Sequence, residues 1–233
     1  MILLIDTSTN VCSVALANGD GVLQSEELYD QKAPHASNLT PMIERLVEKA
    51  GAKMTEIDAV AIGSGPGSYT GLRIGASTAK GICYALSVPL IAIGTLEIMA
   101  EQMFAQEPAA DVVAPMIDAR RMEVYTAVYS RSGCLVEPCA LVVDETAYMR
   151  FLRDGELYLG GDGAEKCKSV ITSPNAHFID HIDPLARNMA RLAYRKFLNN
   201  DFADVAYFEP FYLKEYVAVV SQNKALRGVG NNK

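Results

Sequence analysis

Positive charge is scarce in this chain: its 233 residues carry 21 lysines and arginines against 28 aspartates and glutamates, a net charge of −7. So acidic a chain is ill suited to hold nucleic acid by itself, because phosphate binding requires clustered cations and counterion release. Where RNA is involved, another subunit is expected to carry most of the contact. Long apolar runs are missing too. Nothing approaches the roughly 18 residues needed to span a bilayer, so no membrane association is expected. Residues 1–5 are cut off by Asp6 and carry no basic segment, unlike a signal peptide. The five cysteines (Cys12, Cys83, Cys134, Cys139 and Cys167) form no CxxC pair, so reduced thiols and a cytoplasmic location are expected. Half of the residues are nonetheless apolar and 21% are charged, proportions of a globular protein with a substantial core and not of a disordered or low-complexity one.

Residues 1–5 form a short continuous apolar run, the pattern of a strand covered on both faces, and residues 11–17 form a second. Asn18-Gly19 and Asp20-Gly21 supply turn chemistry before a third strand ending near residue 28. The period then changes. Leu39, Met42, Ile43, Leu46, Val47 and Ala50 recur at helical spacing, and the pattern stops at Gly51. Strands over 57–62 and 89–93 and helices over 69–86 and 95–104, the last with Thr95 as N-cap, complete the first half. The second half repeats the plan with strands over 112–117, 122–130 and 134–143, a helix over 146–153 and a strand over 156–159. A short helical piece over 163–170 and a strand over 176–179 follow. Asp183 then caps a last helix, with Pro184 at its first position, that runs to about residue 198.

Strand-strand-strand-helix-strand-helix-strand-helix therefore occurs twice, with a seam near residues 105–111. That order is the order of a ribonuclease-H-like half. Two such halves facing one another across a cleft make the actin/Hsp70-like (ASKHA) α/β architecture shared with sugar kinases. Residues 1–105 are expected to form the first lobe, bearing partner-binding helices. Residues 106–233 are expected to form a second, reduced lobe whose last helix packs back on the first.

Three stretches sharpen this. Ile5-Asp6-Thr7-Ser8-Thr9 lies at the first hairpin. Gly63-Ser64-Gly65-Pro66-Gly67-Ser68-Tyr69-Thr70-Gly71-Leu72-Arg73-Ile74-Gly75 joins a strand to a helix. Asp118-Ala119-Arg120-Arg121-Met122-Glu123-Val124-Tyr125 lies at the hairpin of the second half. Together they resemble the TsaB family, also called YeaZ, and the resemblance covers essentially the whole chain. It implies a small subunit of the bacterial machinery that makes N6-threonylcarbamoyladenosine at position 37 of tRNAs. By that resemblance the chain is not the transferase. It pairs with TsaD, the catalytic relative, the ATPase TsaE acts on the pair, and tRNA is met only through the complex.

The residues themselves say how much chemistry such a cleft could do. Asp6, Thr7 and Ser8 suit either a remnant nucleotide loop, holding a cation-bound water or phosphate oxygens, or a turn fastened by its own side-chain hydrogen bonds. In the matching turn, Ala119, Arg120 and Arg121 stand where a phosphate loop uses glycine to let backbone amides approach the anion. Gly160-Gly161-Asp162-Gly163-Ala164 resembles an adenosine-side loop and reads equally as a strand-to-helix turn. The Gly63 to Gly71 loop opens a helix but carries no Gly-Lys-Ser/Thr. A tight turn with Ser68 as cap accounts for it. TsaD-type relatives bind metal through a helical histidine pair. Here His177 and His181 fall on and after a strand, roughly 13 Å apart at about 3.3 Å per residue, too far for one ion. No metal, no cofactor and no nucleophile with its base are expected.

The helix from residue 69 carries Gly71, Gly75, Ala79, Cys83 and Ser87 every fourth residue. Interior glycines cost a helix about 1 kcal/mol each, a cost that fits close approach of another backbone, either a partner's or that of the chain's own sheet. Leu39, Met42, Ile43, Leu46, Gly71, Gly75 and Ala79 are therefore expected to form or shape a docking face for TsaD, which would also support a homodimer when TsaD is absent. His35 and Pro34 stand at the start of the neighbouring helix. The basic residues Lys224, Arg227 and Lys233 read as a solvated tail or a weak contact to partner or tRNA. Two alternatives to a non-catalytic subunit remain open at this point: a free-standing ATP-binding phosphotransferase or ATPase of the sugar-kinase architecture, and a metallopeptidase.

Overall fold

The computed structural model describes residues 1–29 and 35–214; Pro34 and the basic residues Lys224, Arg227 and Lys233 lie outside them. In the first half, β1 (Ile2–Asp6), β2 (Cys12–Ala17) and β3 (Leu23–Tyr29) precede α1 (His35–Lys49). They are followed by β4 (Ala59–Gly63), α2 (Tyr69–Leu86), β5 (Leu90–Ile93) and α3 (Thr95–Gln106). The second half holds β6 (Val112–Asp118), β7 (Glu123–Ser130), β8 (Gly133–Val142), α4 (Met149–Leu152), β9 (Leu157–Gly160), β10 (Ala176–Ile179) and α5 (Ala190–Leu198).

Each half builds one five-stranded sheet, ordered β3-β2-β1-β4-β5 and β8-β7-β6-β9-β10. The duplication read from the element order is thus a duplication of sheet topology. In each sheet the first three strands are antiparallel and the last two add in parallel to the first. The continuous apolar run in β1 has the cause expected of it. Leu3 and Ile5 pack with Val14 and Leu16 under α1 and α2, whereas Ile2 and Leu4 point the other way, into a cluster with Met189, Ala190 and Ala193.

That second cluster ties the halves together. The last helix, α5, covers β1 and β5 of the first sheet. In exchange, Leu96, Met99, Ala100 and Met103 of α3 pack with Val113, Ile117, Ala127 and Tyr129 of the second sheet. Gln102, buried on α3, fastens the exchange. Its Nε2 donates to the His181 carbonyl at 2.8 Å, and its Oε1 accepts from Asp183 N at 3.1 Å and Asn188 Nδ2 at 3.3 Å.

Four local expectations are corrected. Thr95 is the first residue of α3 and Gly94 holds the N-cap position; the Thr95 hydroxyl accepts from Gly65 N at 3.1 Å and so serves the loop instead of the helix. Asp183 and Pro184 do not open the last helix; Asp183 N donates to Gln102, and Leu185 stays extended at φ −83° and ψ 135°. A 3-10 turn over Ala186–Met189 leads into α5. The expected helix over 146–153 shrinks to the single turn of α4. Asp144 takes both Thr146 N at 2.8 Å and Thr146 Oγ1 at 2.6 Å, and Tyr148 adopts a left-handed φ of 61°. The piece over 163–170 is likewise only a 3-10 turn, Glu165–Cys167.

Candidate functional site

The turns of the two equivalent hairpins face one cleft of about 670 Å³. Ser8, Thr9 and Asn10 line it from the first hairpin, and Asp118, Ala119 and Arg120 from the second; Pro66 to Thr70, Asp162 and residues 212–214 complete the wall.

The first turn is closed. Asp6, Thr7 and Ser8 are each fully buried. Asp6 Oδ1 accepts from Ser8 N at 3.0 Å and Ser8 Oγ at 2.8 Å, while Oδ2 has no partner among the described residues. Burial pushes the Asp6 carboxyl up to about 7, against the lowering effect of the Ser8 hydrogen bonds. Thr7 Oγ1 donates to the Gly71 carbonyl at 2.7 Å, and Ser68 N donates to the Ser8 carbonyl at 2.6 Å. The glycines of the following loop exist for this closure. A Cβ at Gly67 would stand 2.2 Å from Ser8 O, at Gly71 2.0 Å from Thr7 O, and at Gly75 2.3 Å from Thr7 Oγ1. Ser68 caps α2 by accepting from Gly71 N at 3.3 Å. These hydrogen bonds fasten the turn to itself and to the start of α2.

The second turn is built differently. Asp118 N donates to Asp162 Oδ1 at 2.8 Å, and Asp118 Oδ1 accepts from Arg120 N at 2.9 Å. Lys166 Nζ bridges the Asp118 carboxylate and the Glu123 carbonyl, the latter at 2.6 Å. The Lys166 hydrogen bond holds Asp118 below the usual carboxylate range, whereas burial raises Asp162. Arg120 and Arg121 stand at φ 71° and 50°, a conformation costing a side-chain-bearing residue roughly 1–2 kcal/mol. Sequence reading had no signal for this. Gly161 and Gly163 press against Met116 and Ile117 of β6, and only a 3-10 turn follows them, so the loop over 160–164 is a tight strand exit. His177 lies on β10, where its Nε2 meets Glu156, and His181 follows the strand.

The residues of the expected helical docking face lie in the core. Leu39, Met42, Ile43 and Leu46 are at most 3% exposed and pack on β1 and β2 in the chain's own core. Gly71, Gly75 and Ala79 are buried as well, on the side of α2 facing the sheet and the first turn. An i, i+4 stripe identifies one side of a helix but not what that side meets, and here the sheet wins. Of the seven, only Ile43 also lines the groove on the outward side of the pair. The outward side of the same helix pair carries a groove of about 980 Å³. Thr40, Glu44 and Val47 of α1 line it, with Thr78, Gly81 and Ala85 of α2 opposite. Ser77, Gly81 and Ala85 form a second small-residue stripe, this one exposed, and a Cβ on Gly81 would meet nothing within 4 Å. The signal, one more glycine in α2, was legible but lay off the stripe followed.

Two duplicated mixed sheets with their hairpin turns across one cleft define a protein of the actin/Hsp70-like class. A Clostridium difficile protein solved with bound ADPNP, the activator of 2-hydroxyisocaproyl-CoA dehydratase, shares this fold at a TM-score of 0.51 and 9% identity, over 87% of this chain and 98% of that one. Similarity to YeaZ from Pseudomonas aeruginosa is far greater, with a TM-score of 0.79 and 29% identity over 91% of this chain and 99% of that one. The family model described as TsaD, tRNA N6-adenosine threonylcarbamoyltransferase, matches residues 23–227. The tRNA threonylcarbamoyladenosine biosynthesis protein TsaB of Escherichia coli K12 is 34% identical, over 93% of this chain and 96% of the relative. That of Bacillus subtilis 168 is 30% identical over 69% and 71%. The chain belongs to the TsaB (YeaZ) family, and its role lies in tRNA threonylcarbamoyladenosine biosynthesis.

Proposed function

We propose that this chain is a non-catalytic partner subunit in the formation of N6-threonylcarbamoyladenosine at position 37 of tRNAs, pairing with TsaD and acting with TsaE. A role on tRNA puts the assembly in the cytoplasm. The observation that carries the non-catalytic reading is the closed first turn. A phosphate-handling hairpin needs free amides and hydroxyls aimed at the anion. Here Ser8 N and Ser8 Oγ are spent on Asp6, and Thr7 Oγ1 is spent on Gly71. The bulk at Ala119 and Arg120 in the facing turn supports the same reading.

Docking on TsaD uses the outward groove of α1 and α2. Small side chains at Ser77, Gly81 and Ala85 let a partner helix approach closely, and Val47, Ile82 and Leu86 supply the apolar contact. The same groove pairs two copies when TsaD is absent. The test is co-elution of the purified chain with TsaD, alongside calorimetry of the isolated chain with Mg-ATP. Stable pairing without nucleotide turnover by the lone chain supports the proposal. Tight Mg-ATP binding with turnover in the absence of partners identifies a free-standing enzyme instead.

A further inference from the structure

Arg120 and Arg121 hold two consecutive left-handed positions at the tip of the β6–β7 hairpin, where glycine sits without strain. The hairpin fixes them. Ala119 N donates to the Glu123 carbonyl at 3.0 Å, and Glu123 N donates to the Arg120 carbonyl at 3.2 Å. Both side chains are exposed, and neither makes an ion pair or side-chain hydrogen bond among the described residues. Among the described residues, only the Asp118 carboxylate interacts with the Arg120 side chain, and no ion pair or side-chain hydrogen bond accounts for arginine at these two positions. Arg120 lines the inter-lobe cleft together with Tyr69 and Tyr212, whose ring centroids are 5.0 Å apart. The guanidinium of Arg73, exposed and likewise without an ion pair among the described residues, lies 4.6 Å from the Tyr69 ring centroid. Of the carboxylates around the hairpin, Asp118 is paired with Lys166 and Glu123 with Lys214, while Asp162 accepts from Asp118 N and carries no ion pair among the described residues.

We infer that this mouth of the cleft is an RNA contact. Arg120, Arg121 and Arg73 take backbone phosphates of one strand, and the Tyr69–Tyr212 pair offers a ring to an unpaired base. The inference rests on the reading of the chain as a TsaD partner working on tRNA. Arginine forks match phosphate oxygens two at a time, cations interleaved with aromatic rings are how proteins hold single-stranded nucleic acid, and Tyr69 and Tyr212 are half-buried at this mouth. Acidic groups of a partner protein would satisfy the guanidinium groups as well, and the test below separates the two. Because the chain as a whole is acidic, the attraction is local and supplements the partner's larger share.

The test uses the full chain in complex with TsaD and a fluorescently labelled substrate tRNA, titrated between about 50 and 200 mM salt. The decisive variant is Arg120→Gly with Arg121→Gly, since glycine takes the left-handed backbone freely; a melting temperature no lower than wild type confirms its fold. Expected is a loss of tRNA affinity of about tenfold or more, and a salt dependence shallower by about one to two phosphate contacts. Tyr69→Leu is expected to weaken binding without changing that slope. Unchanged affinity and slope in a double variant that still pairs with TsaD overturn the inference. Loss of TsaD pairing in the double variant assigns the arginines to the partner protein and overturns it equally. Altered binding of free ATP with unchanged tRNA binding does the same. Failure of the wild-type chain to co-elute with TsaD defeats the partner reading itself, and this inference with it, so the two failures are distinguishable.

Discussion

Thr7 and Gly71, 64 positions apart in sequence, are joined by a hydrogen bond of 2.7 Å from the threonine hydroxyl to the glycine carbonyl, and the Thr7 carbonyl stands where a Gly71 side chain would begin. Hairpin turn and helix start are thereby one packed unit. Gly71→Ala is expected to destabilise the fold by about 1–3 kcal/mol through overpacking against backbone. Thr7→Val is expected to cost about 0.5–1.5 kcal/mol by removing the buried hydroxyl bond to the Gly71 carbonyl. Urea denaturation of both variants measures this, and a wild-type midpoint for either contradicts the closed turn.

Asp6 makes stability depend on pH. Its carboxyl is raised to about 7 in the folded chain, against about 3.9 when unfolded. The folded state therefore holds a proton that the unfolded state has lost. The stabilisation this provides is complete below about pH 4 and disappears as the pH rises through 7, a change on the order of a few kcal/mol. Asp6→Asn is expected to flatten the decline in melting temperature between pH 4 and 7. An Asp6 carboxyl found by NMR to titrate near 4 contradicts the assignment.

The two sides of α2 separate folding from docking. A leucine at Gly75 would run into the Thr7 hydroxyl and the Ile62 side chain, so Gly75→Leu is expected to prevent stable folding, whereas Gly81→Leu is expected to leave the melting temperature within a few degrees of wild type. Gly81→Leu is expected to weaken pairing with TsaD and self-pairing by at least tenfold, about 1.4 kcal/mol. Analytical ultracentrifugation reads both equilibria. Undiminished pairing in Gly81→Leu removes the groove from the interface.

Gln102 clamps the exchanged helices. Gln102→Leu leaves the His181 carbonyl and Asp183 N without their partners in a part-buried site. An expected loss of about 2–4 kcal/mol follows from two orphaned groups. Hydrogen exchange in the segment leading into α5 is expected to accelerate, since that segment loses its tie to α3. Unchanged protection in that segment means that the apolar cluster around Met189 suffices.

Much of this architecture is written locally. The unbroken apolar run of β1 announces a strand covered on both faces, and α2 spans residues 69–86 as its composition predicts. The repeated element order foretells two sheets of the same topology. What escaped is tertiary. Periodicity places Leu39 with Leu46 and Gly71 with Gly75, but it cannot say whether a face meets the chain's own sheet or another molecule. Asp183-Pro184 reads as a helix opening, but the chain there is held extended, with Asp183 N bonded to Gln102, a residue 81 positions earlier. In the cleft, the residue types of both turns were legible. The burial of Asp6 to Ser8 and the left-handed backbone of Arg120 and Arg121 were not, because arginine carries no preference for that conformation.

Incorporation of labelled threonine into tRNA, measured with this chain, TsaD and TsaE together and with each omitted in turn, tests the central claim most directly. The account predicts full incorporation from the complete set, a collapse when this chain is left out, and no incorporation or ATP hydrolysis by this chain alone. Turnover by the isolated chain, or undiminished modification without it, contradicts the account.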